Sequence, residues 1–374
     1  MKIGSYARIA TVALLSTSTT GLNILLGNDD SWASANIRQF YSALKAAGHK
    51  VLLVAPAVNQ SGKGGTTVFA ESANLTGPAE FNTVKAGAPS WGTDPTDSNI
   101  WYYNGTPAAC TFFALDYVIP KAWNSTLPDL FVSGPNEGNN LGPFLYTLSG
   151  TIGAAYAAIE RGIPGIAFSA GNGTHRSYTT VANGSTTDVA VLNAKAAVKV
   201  VNQLASSVKS GRLLPYGYGI NVNLPVLNST CSTPTYTQTR LTGGALGDKA
   251  VLNTTTNVFT YGNDVNDPGL NTCINGNCSL PGETDVVATK CSVALSPFTI
   301  DYDAPSCNGA TDVRGYFSAL VANANTSTAA SGTSGNGTTV TTGAPAQQTT
   351  NAGAVVEVSG LGLLAGGVAA LMML

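Results

Sequence analysis

Residues 22–30, reading LNILLGNDD, constrain what this chain can become. Leu22, Ile24, Leu25 and Leu26 make a short apolar run, the signature of a strand covered on both faces. Gly27 ends it, and Asn28, Asp29 and Asp30 follow just before a helical pattern begins. Adjacent carboxylates at the end of a buried strand disfavour each other's ionised form. Side chains that alternate along a strand can converge where the strand breaks. In an open α/β sheet, that place is also where ligands bind. A divalent cation there would relieve the repulsion. The local alternative is a helix cap, with Asp30 or Ser31 at the N-cap of the next helix.

The pattern beyond it is a βαβ start. Ile37, Phe40, Tyr41 and Leu44 fall at i, i+3, i+4 and i+7, which predicts a helix over 33–47 closed by Gly48. Residues 49–55 (HKVLLVA) predict a second buried strand. The following loop, 56–67, carries Ser61, Gly62, Lys63, Gly64 and Gly65, which suit close approach to a phosphate. The Gly-Lys-Ser/Thr order of a Walker loop is absent. Residues 70–100 read as polar and irregular. Helices are expected at 112–119, 149–161 and 190–209, and strands at 127–133, 163–169 and 219–225. Residues 226–315 lack helical periodicity and read as β-hairpins and loops. The predicted fold is α/β: a three-layer Rossmann-like sheet with helices on both faces, plus a C-terminal β-hairpin and loop extension.

Net charge is −2, so nothing electrostatic favours binding polymeric nucleic acid. Only His49 and His175 are present, too few for phosphatases built on several histidine ligands. Cys110 stands apart from Cys231, Cys273, Cys278, Cys291 and Cys307. The Cys273–Cys278 spacing fits no common zinc motif, so disulfides are expected. Five late cysteines cannot all pair among themselves, so either Cys110 joins or one stays free. Residues 1–20 have the layout of a signal peptide, with Lys2 and Arg8 before an apolar core. Sequons at Asn74, Asn124, Asn172, Asn183, Asn228, Asn253 and Asn325 suit a secreted glycoprotein. A Ser/Thr/Gly stalk at 323–353 leads to an apolar tail, 354–374, with no charge after it. That is the layout of a GPI-attachment signal, with Asn351 as the candidate site. The expected location is extracellular and cell-surface, with membrane contact only through a lipid anchor.

Several short blocks then occur in one order. Asn28-Asp29-Asp30 is followed by Gln60-Ser61-Gly62, and Gly105-Thr-Pro-Ala-Ala-Cys110 comes next. Ser133-Gly-Pro-Asn136-Glu-Gly-Asn-Asn140 precedes the Ser149-Gly-Thr-Ile-Gly-Ala-Ala155 helix start. Asn221-Val-Asn-Leu-Pro225 and Thr284-Asp285 to Pro297 close the series. In these blocks, over about residues 22–300, the chain resembles the SurE family of nucleotidases and phosphatases. It departs at Ser31, where the family usually has glycine, at Ala33-Ser-Ala, and at Pro135 in place of an aliphatic residue.

The resemblance implies a divalent cation on Asp29, Asp30, Ser61 and Asn136. It implies substrate contacts from Asn28, Ser61, Gly62 and Asn140, and catalytic roles for Asp29, Asp30 and Asn140. Hard oxygen donors select Mg²⁺ or Mn²⁺, with Ca²⁺ a further candidate, over zinc. The implied substrate is a phosphomonoester such as a nucleoside monophosphate, and a homodimer is compatible with the family. The expected reaction is its hydrolysis by a cation-activated water. His175-Arg176, in a strand-end loop, offers positive charge for phosphate. The rival class is a non-catalytic surface protein on the same scaffold, which would have no need to keep all four ligands. A serine hydrolase is disfavoured because Ser133 lies in Val-Ser-Gly-Pro, not in a nucleophile elbow.

Overall fold

The computed structural model describes residues 21–302, apart from 173, 245–246, 265–271 and 274. The expected leader, the stalk, the apolar tail and Cys307 lie outside the described residues. In chain order the elements begin with β1 (Asn23–Gly27), α1 (Ala35–Ala46), β2 (Lys50–Pro56), β3 (Trp91–Thr93) and β4 (Ile100–Tyr103). Next come α2 (Pro107–Phe113), a wide helical turn Ala114–Val118, α3 (Ile119–Ala122), β5 (Leu130–Glu137), α4 (Gly142–Leu148) and α5 (Gly150–Glu160). The last are β6 (Gly165–Ala170), α6 (Val189–Ser207), β7 (Tyr218–Leu224), β8 (Thr235–Gln238), β9 (Gly247–Asn253), β10 (Val258–Asp264), α7 (Glu283–Thr289) and β11 (Ser292–Thr299).

Nine strands form one sheet in the order β3-β4-β2-β1-β5-β6-β7-β11-β8, and β9 and β10 form a separate hairpin. The six central strands, β4 to β7, are parallel. From β1 the chain builds outward to β2 and β4, then returns to β5 on the other side of β1. The point of reversal therefore lies between β1 and β5, and the crevice at their carboxyl ends is the place such a sheet offers a ligand.

Both faces are covered because β1 has no polar face. Ile24 and Leu26 join one cluster with Ile37, Phe40 and Leu44 of α1 and Ala197 and Val201 of α6. Leu25, pointing the other way, joins Leu52, Phe131, Ile152, Ala155 and Val118 in the second cluster. Phe40 meets Phe168 of β6 edge-on, with ring centroids 5.2 Å apart. The three-layer α/β expectation holds.

Three expectations need correction. Residues 70–100 are not irregular to their end, since Trp91–Thr93 and Ile100 extend the sheet. The helix expected at 112–119 begins at Pro107, where proline at the first turn replaces an amide that has no helical partner anyway. Its buried stretch is Pro107–Thr111, ahead of the apolar run 112–119, in which Asp116 is exposed. Residues 226–302 include the expected hairpin, β9–β10, but are not hairpins and loops alone. β11 pairs antiparallel with β7, β8 pairs parallel with β11, and Glu283–Thr289 is a helix. Seven residues are too few to show a helical period, and strands that pair across 57 to 81 positions carry no local signal.

Disulfides join Cys231 to Cys291 and Cys273 to Cys278, while Cys110 is free and buried. Cys110 therefore does not join the late cysteines.

Glu283 opens α7 and is completely buried. Its carboxylate accepts hydrogen bonds from the backbone amide of Gly142, from Nδ2 of Asn221 and from Oγ of Ser296. It thereby ties β7 and β11 to the loop after β5. Burial pushes its pKa up to about 7, against these bonds. The unfolded carboxyl keeps its ordinary value near 4.5, so between the two the folded chain binds the extra proton. Stability should therefore fall as pH rises through that window, by on the order of 3 kcal/mol from this group. Chemical denaturation across pH 4 to 8 should show a shallower decline in Glu283→Gln than in wild type.

Candidate active site

The crevice at the reversal point is built by three strand ends. β1 delivers Asn28, Asp29 and Asp30, all buried. The loop after β2 is held to them by the Gln60 amide, which donates to the Asp29 carbonyl at 2.7 Å. β5 runs in register with β1, Ser133 opposite Gly27, and carries Asn136 and Glu137 at its end.

Neither carboxylate caps the helix that follows. The N-cap of α1 is Ser34. Asp29 lies instead at the start of α5, where Thr151 Oγ1 donates to its Oδ1 at 2.7 Å. The first amides of α5, at Gly150 and Thr151, add hydrogen bonds, a position where the helix dipole favours negative charge. Gly150 makes this approach possible: a Cβ there would lie 2.9 Å from the Asp29 Cβ. Gly153, one turn on, admits the loop after β2, since a Cβ there would lie 1.9 Å from the Gly64 carbonyl oxygen. Asp30 accepts from the Glu137 amide at 2.7 Å.

The electrostatics are unfavourable without a cation. Burial raises the Asp29 carboxyl despite its hydrogen bonds. Burial, with the charges of Asp29 and Glu137, pushes Asp30 well above the usual range. Two amides add to the excess of acceptors. Asn136 Nδ2 donates to the Gly138 carbonyl and Asn28 Nδ2 to the Ser31 carbonyl. Their Oδ1 atoms are buried and have no hydrogen-bond donor among the described residues. Buried carboxylates and donorless amide oxygens are the ligand chemistry of a hard divalent cation. The residues present thus fit Mg²⁺, Mn²⁺ or Ca²⁺ on Asp29, Asp30 and Asn136. Ser61, exposed beside Gln60, offers a hydroxyl from the open side, and Gly62 follows it with φ 77°.

The other named residues lie as follows. Asn140 is buried; its Nδ2 donates to Ser169 Oγ, and its carbonyl accepts from Asn221 and Asn223. His49 accepts from the Leu22 amide through Nδ1 and contacts Asn202 through Nε2, a structural role. Arg176 pairs with Asp188. Ser133 is fully buried and its Oγ has no partner among the described residues, so it is no nucleophile. His175 reaches two carboxylates, Glu137 at 2.7 Å and Glu80 at 2.9 Å. Burial lowers its pKa, but these two partners outweigh burial and the net shift is upward. Asp30, Glu137 and His175 place one donor atom each within 4.8 Å of one another. Thr151, Glu137 and Glu80 were not singled out from the sequence. Thr151 and Glu137 lie inside motif blocks and could have been; Glu80, in a polar loop, carries no signal.

Ser31 sits at φ 87°, a conformation that favours glycine. It is held there by its carbonyl bond to Asn28 and by the Ala33 amide donating to its Oγ.

Comparisons with known proteins bear on the family and the fold. The family model for survival protein SurE matches residues 24–245. An acid phosphatase of Yarrowia lipolytica is 47% identical over 291 residues, 75% of this chain and 80% of that protein. A protein named 5'-nucleotidase SurE from Desulfovibrio desulfuricans is 36% identical over 155 residues, 41% of this chain and 52% of its own length. The match thus spans about half of that relative. The crystal structure of the SurE protein from Aquifex aeolicus superposes with a TM-score of 0.51 at 23% identity, covering 75% of this chain and 94% of that one. At that identity it shows the shared fold.

Two outcomes are expected from the site's charges and backbone. In EDTA at pH 7, Asp30→Asn should raise stability, because it removes a buried carboxyl that faces the charges of Asp29 and Glu137. Asp29→Asn should gain less, because it puts an amide NH₂ against the first amides of α5. Thermal melts of the two variants decide, and the reverse order would be inconsistent with the burial argument. Ser31→Gly should melt above wild type, since relief of a strain of order 1–3 kcal/mol exceeds the loss of one weak hydroxyl bond.

Proposed function

The chain belongs to the survival protein SurE family and is a phosphomonoester hydrolase, and on that premise we propose that it acts through a hard divalent cation held by Asp29, Asp30, Asn136 and Ser61. The observation that carries this reading is the buried pair Asp29 and Asp30 at the sheet's reversal point, beside amide oxygens that lack donors. A phosphomonoester dianion is repelled by two carboxylates, so the same groups that would hold a cation make it necessary for binding. When bound, such a cation orients a phosphoryl group and lowers the pKa of a coordinated water.

The chain's own residues do the rest. Thr151 and the start of α5 orient the Asp29 carboxylate. The Glu137 amide and the Asn59 side chain do the same for Asp30. Asn136 is turned by its bond to Gly138 so that its oxygen faces away from any donor. The loop 60–65 brings Ser61, Gly62 and Lys63 to the open side, where a phosphate's peripheral oxygens need donors. Asn140 holds the floor of the crevice to β6 and β7, which suits a role in shaping the phosphate subsite. The substrate class we favour is a nucleoside monophosphate or a related small phosphomonoester, in keeping with the names of the relatives.

We also place the protein on the secretory route. The Cys231–Cys291 and Cys273–Cys278 bridges support an oxidising compartment. Surface attachment through a lipid at the C-terminus rests on the stalk and tail sequence.

A panel of phosphomonoesters, nucleotides included, assayed with EDTA and with added Mg²⁺ or Mn²⁺, tests the reading. Hydrolysis should require the cation. Asp29→Asn should lower kcat/KM by two or more orders of magnitude, about 3 kcal/mol of transition-state stabilisation. Hydrolysis at the wild-type rate by Asp29→Asn would refute the cation mechanism.

A further inference from the structure

His175 has no part in the donor set just described, yet its ring reaches carboxylates bound to both loops that flank that set. The loop after β2 carries Ser61, and the end of β5 carries Asn136. Glu80 binds the first loop: its Oε2 accepts from the Asn59 amide at 2.6 Å, and Asn59 Oδ1 in turn accepts from the Ser61 amide at 2.8 Å. Its other oxygen, Oε1, meets His175 Nε2. Glu137 belongs to the second: it follows Asn136, its amide donates to Asp30, and its Oε2 meets His175 Nδ1. A carboxylate only accepts, so both contacts are hydrogen bonds when the ring carries a proton on each nitrogen.

The ring is itself anchored. On its C-terminal side the Arg176 carbonyl accepts from the Ala35 amide, and the Tyr178 amide donates to the Ala33 carbonyl. These bonds tie the loop after β6 to the residues just past Asp30. Phe81 packs on the imidazole with ring centroids 4.7 Å apart. Phe81 and Asn82 hold φ of 55° and 57°, a conformation unusual in two successive residues that are not glycine. The turn is thus held in a strained form that presents both Glu80 and Phe81 to His175.

We infer that His175 is a positioning residue: it clamps the Ser61 loop to the Asn136 strand end through Glu80 and Glu137, and so sets the affinity of the site for a divalent cation. The inference rests on the cation site proposed above. It also has a definite sign. If the imidazolium acted only as a local positive charge, removing it would strengthen cation binding. As a clamp, its removal leaves two carboxylates free to swing and weakens binding.

The test is calorimetric titration of Mn²⁺ into the metal-free full-length protein, alongside phosphatase assays over a range of free Mn²⁺. His175→Ala should weaken Mn²⁺ about tenfold or more, as loss of an outer partner of a metal ligand does. At saturating Mn²⁺ its kcat should stay within a few-fold of wild type. Added imidazole, at matched free Mn²⁺, should restore affinity, which a general loss of packing would not allow. Glu80→Gln should weaken binding in the same sense, and combining it with His175→Ala should add little, because both cut one bridge. Should His175→Ala fold poorly, Glu80→Gln alone must still show the loss. Unchanged or tighter Mn²⁺ binding in His175→Ala overturns the inference. So does a drop from two bound ions to one, which would make His175 a ligand. Wild type that binds no Mn²⁺ and hydrolyses phosphomonoesters equally well in EDTA would instead overturn the cation site itself, and the clamp with it.

Discussion

Burying two neighbouring carboxylates is the constraint on which the rest of this structure depends. Asp29 and Asp30 are nearly inaccessible, and their charges can persist there only with compensation. The fold compensates unequally. Asp29 receives a hydroxyl and the first amides of a helix. Asp30 receives one backbone amide and the Asn59 side chain, and faces two like charges. The remaining imbalance is one that the proposed cation would correct.

The sheet supplies the place. Because the chain reverses between β1 and β5, the loops after these two strands open on a common crevice, and the loop after β2 is drawn in by its bond to Asp29. Small residues do the fitting. Gly150 and Gly153 on α5 let the carboxylate and the glycine-rich loop reach the helix backbone. A larger residue at 150 would press on Asp29 itself, and one at 153 on the Gly64 backbone.

A second ring of polar groups surrounds the first. Glu283 reaches from α7 to the loop after β5, Asn140 links that loop to β6 and β7, and His175 joins two loops across the crevice. Each is buried or partly buried, and each joins two or more elements around the crevice. In such networks orientation is set by the outer partners as much as by the ligands themselves.

What was legible in the sequence followed from short-range pattern. The run before Gly27 announced a strand buried on both faces, the spacing of Ile37, Phe40, Tyr41 and Leu44 announced α1, and polar strand ends in a βαβ frame announced where ligands bind. Asp29 and Asp30 stood out on that pattern alone; Asn28 and Asn136 were named only through the resemblance of the motif blocks. Thr151, Glu80 and Glu137 as partners, and Glu283 as a buried carboxylate, were not identified. Their pairings span from 38 to 141 positions along the chain, and no local periodicity encodes a contact at that distance. The same holds for β8 and β11, whose sequences are too polar or too short to declare a strand by themselves. Local pattern determined which elements form and which residues they deliver to the crevice; only packing decided what each of those residues touches.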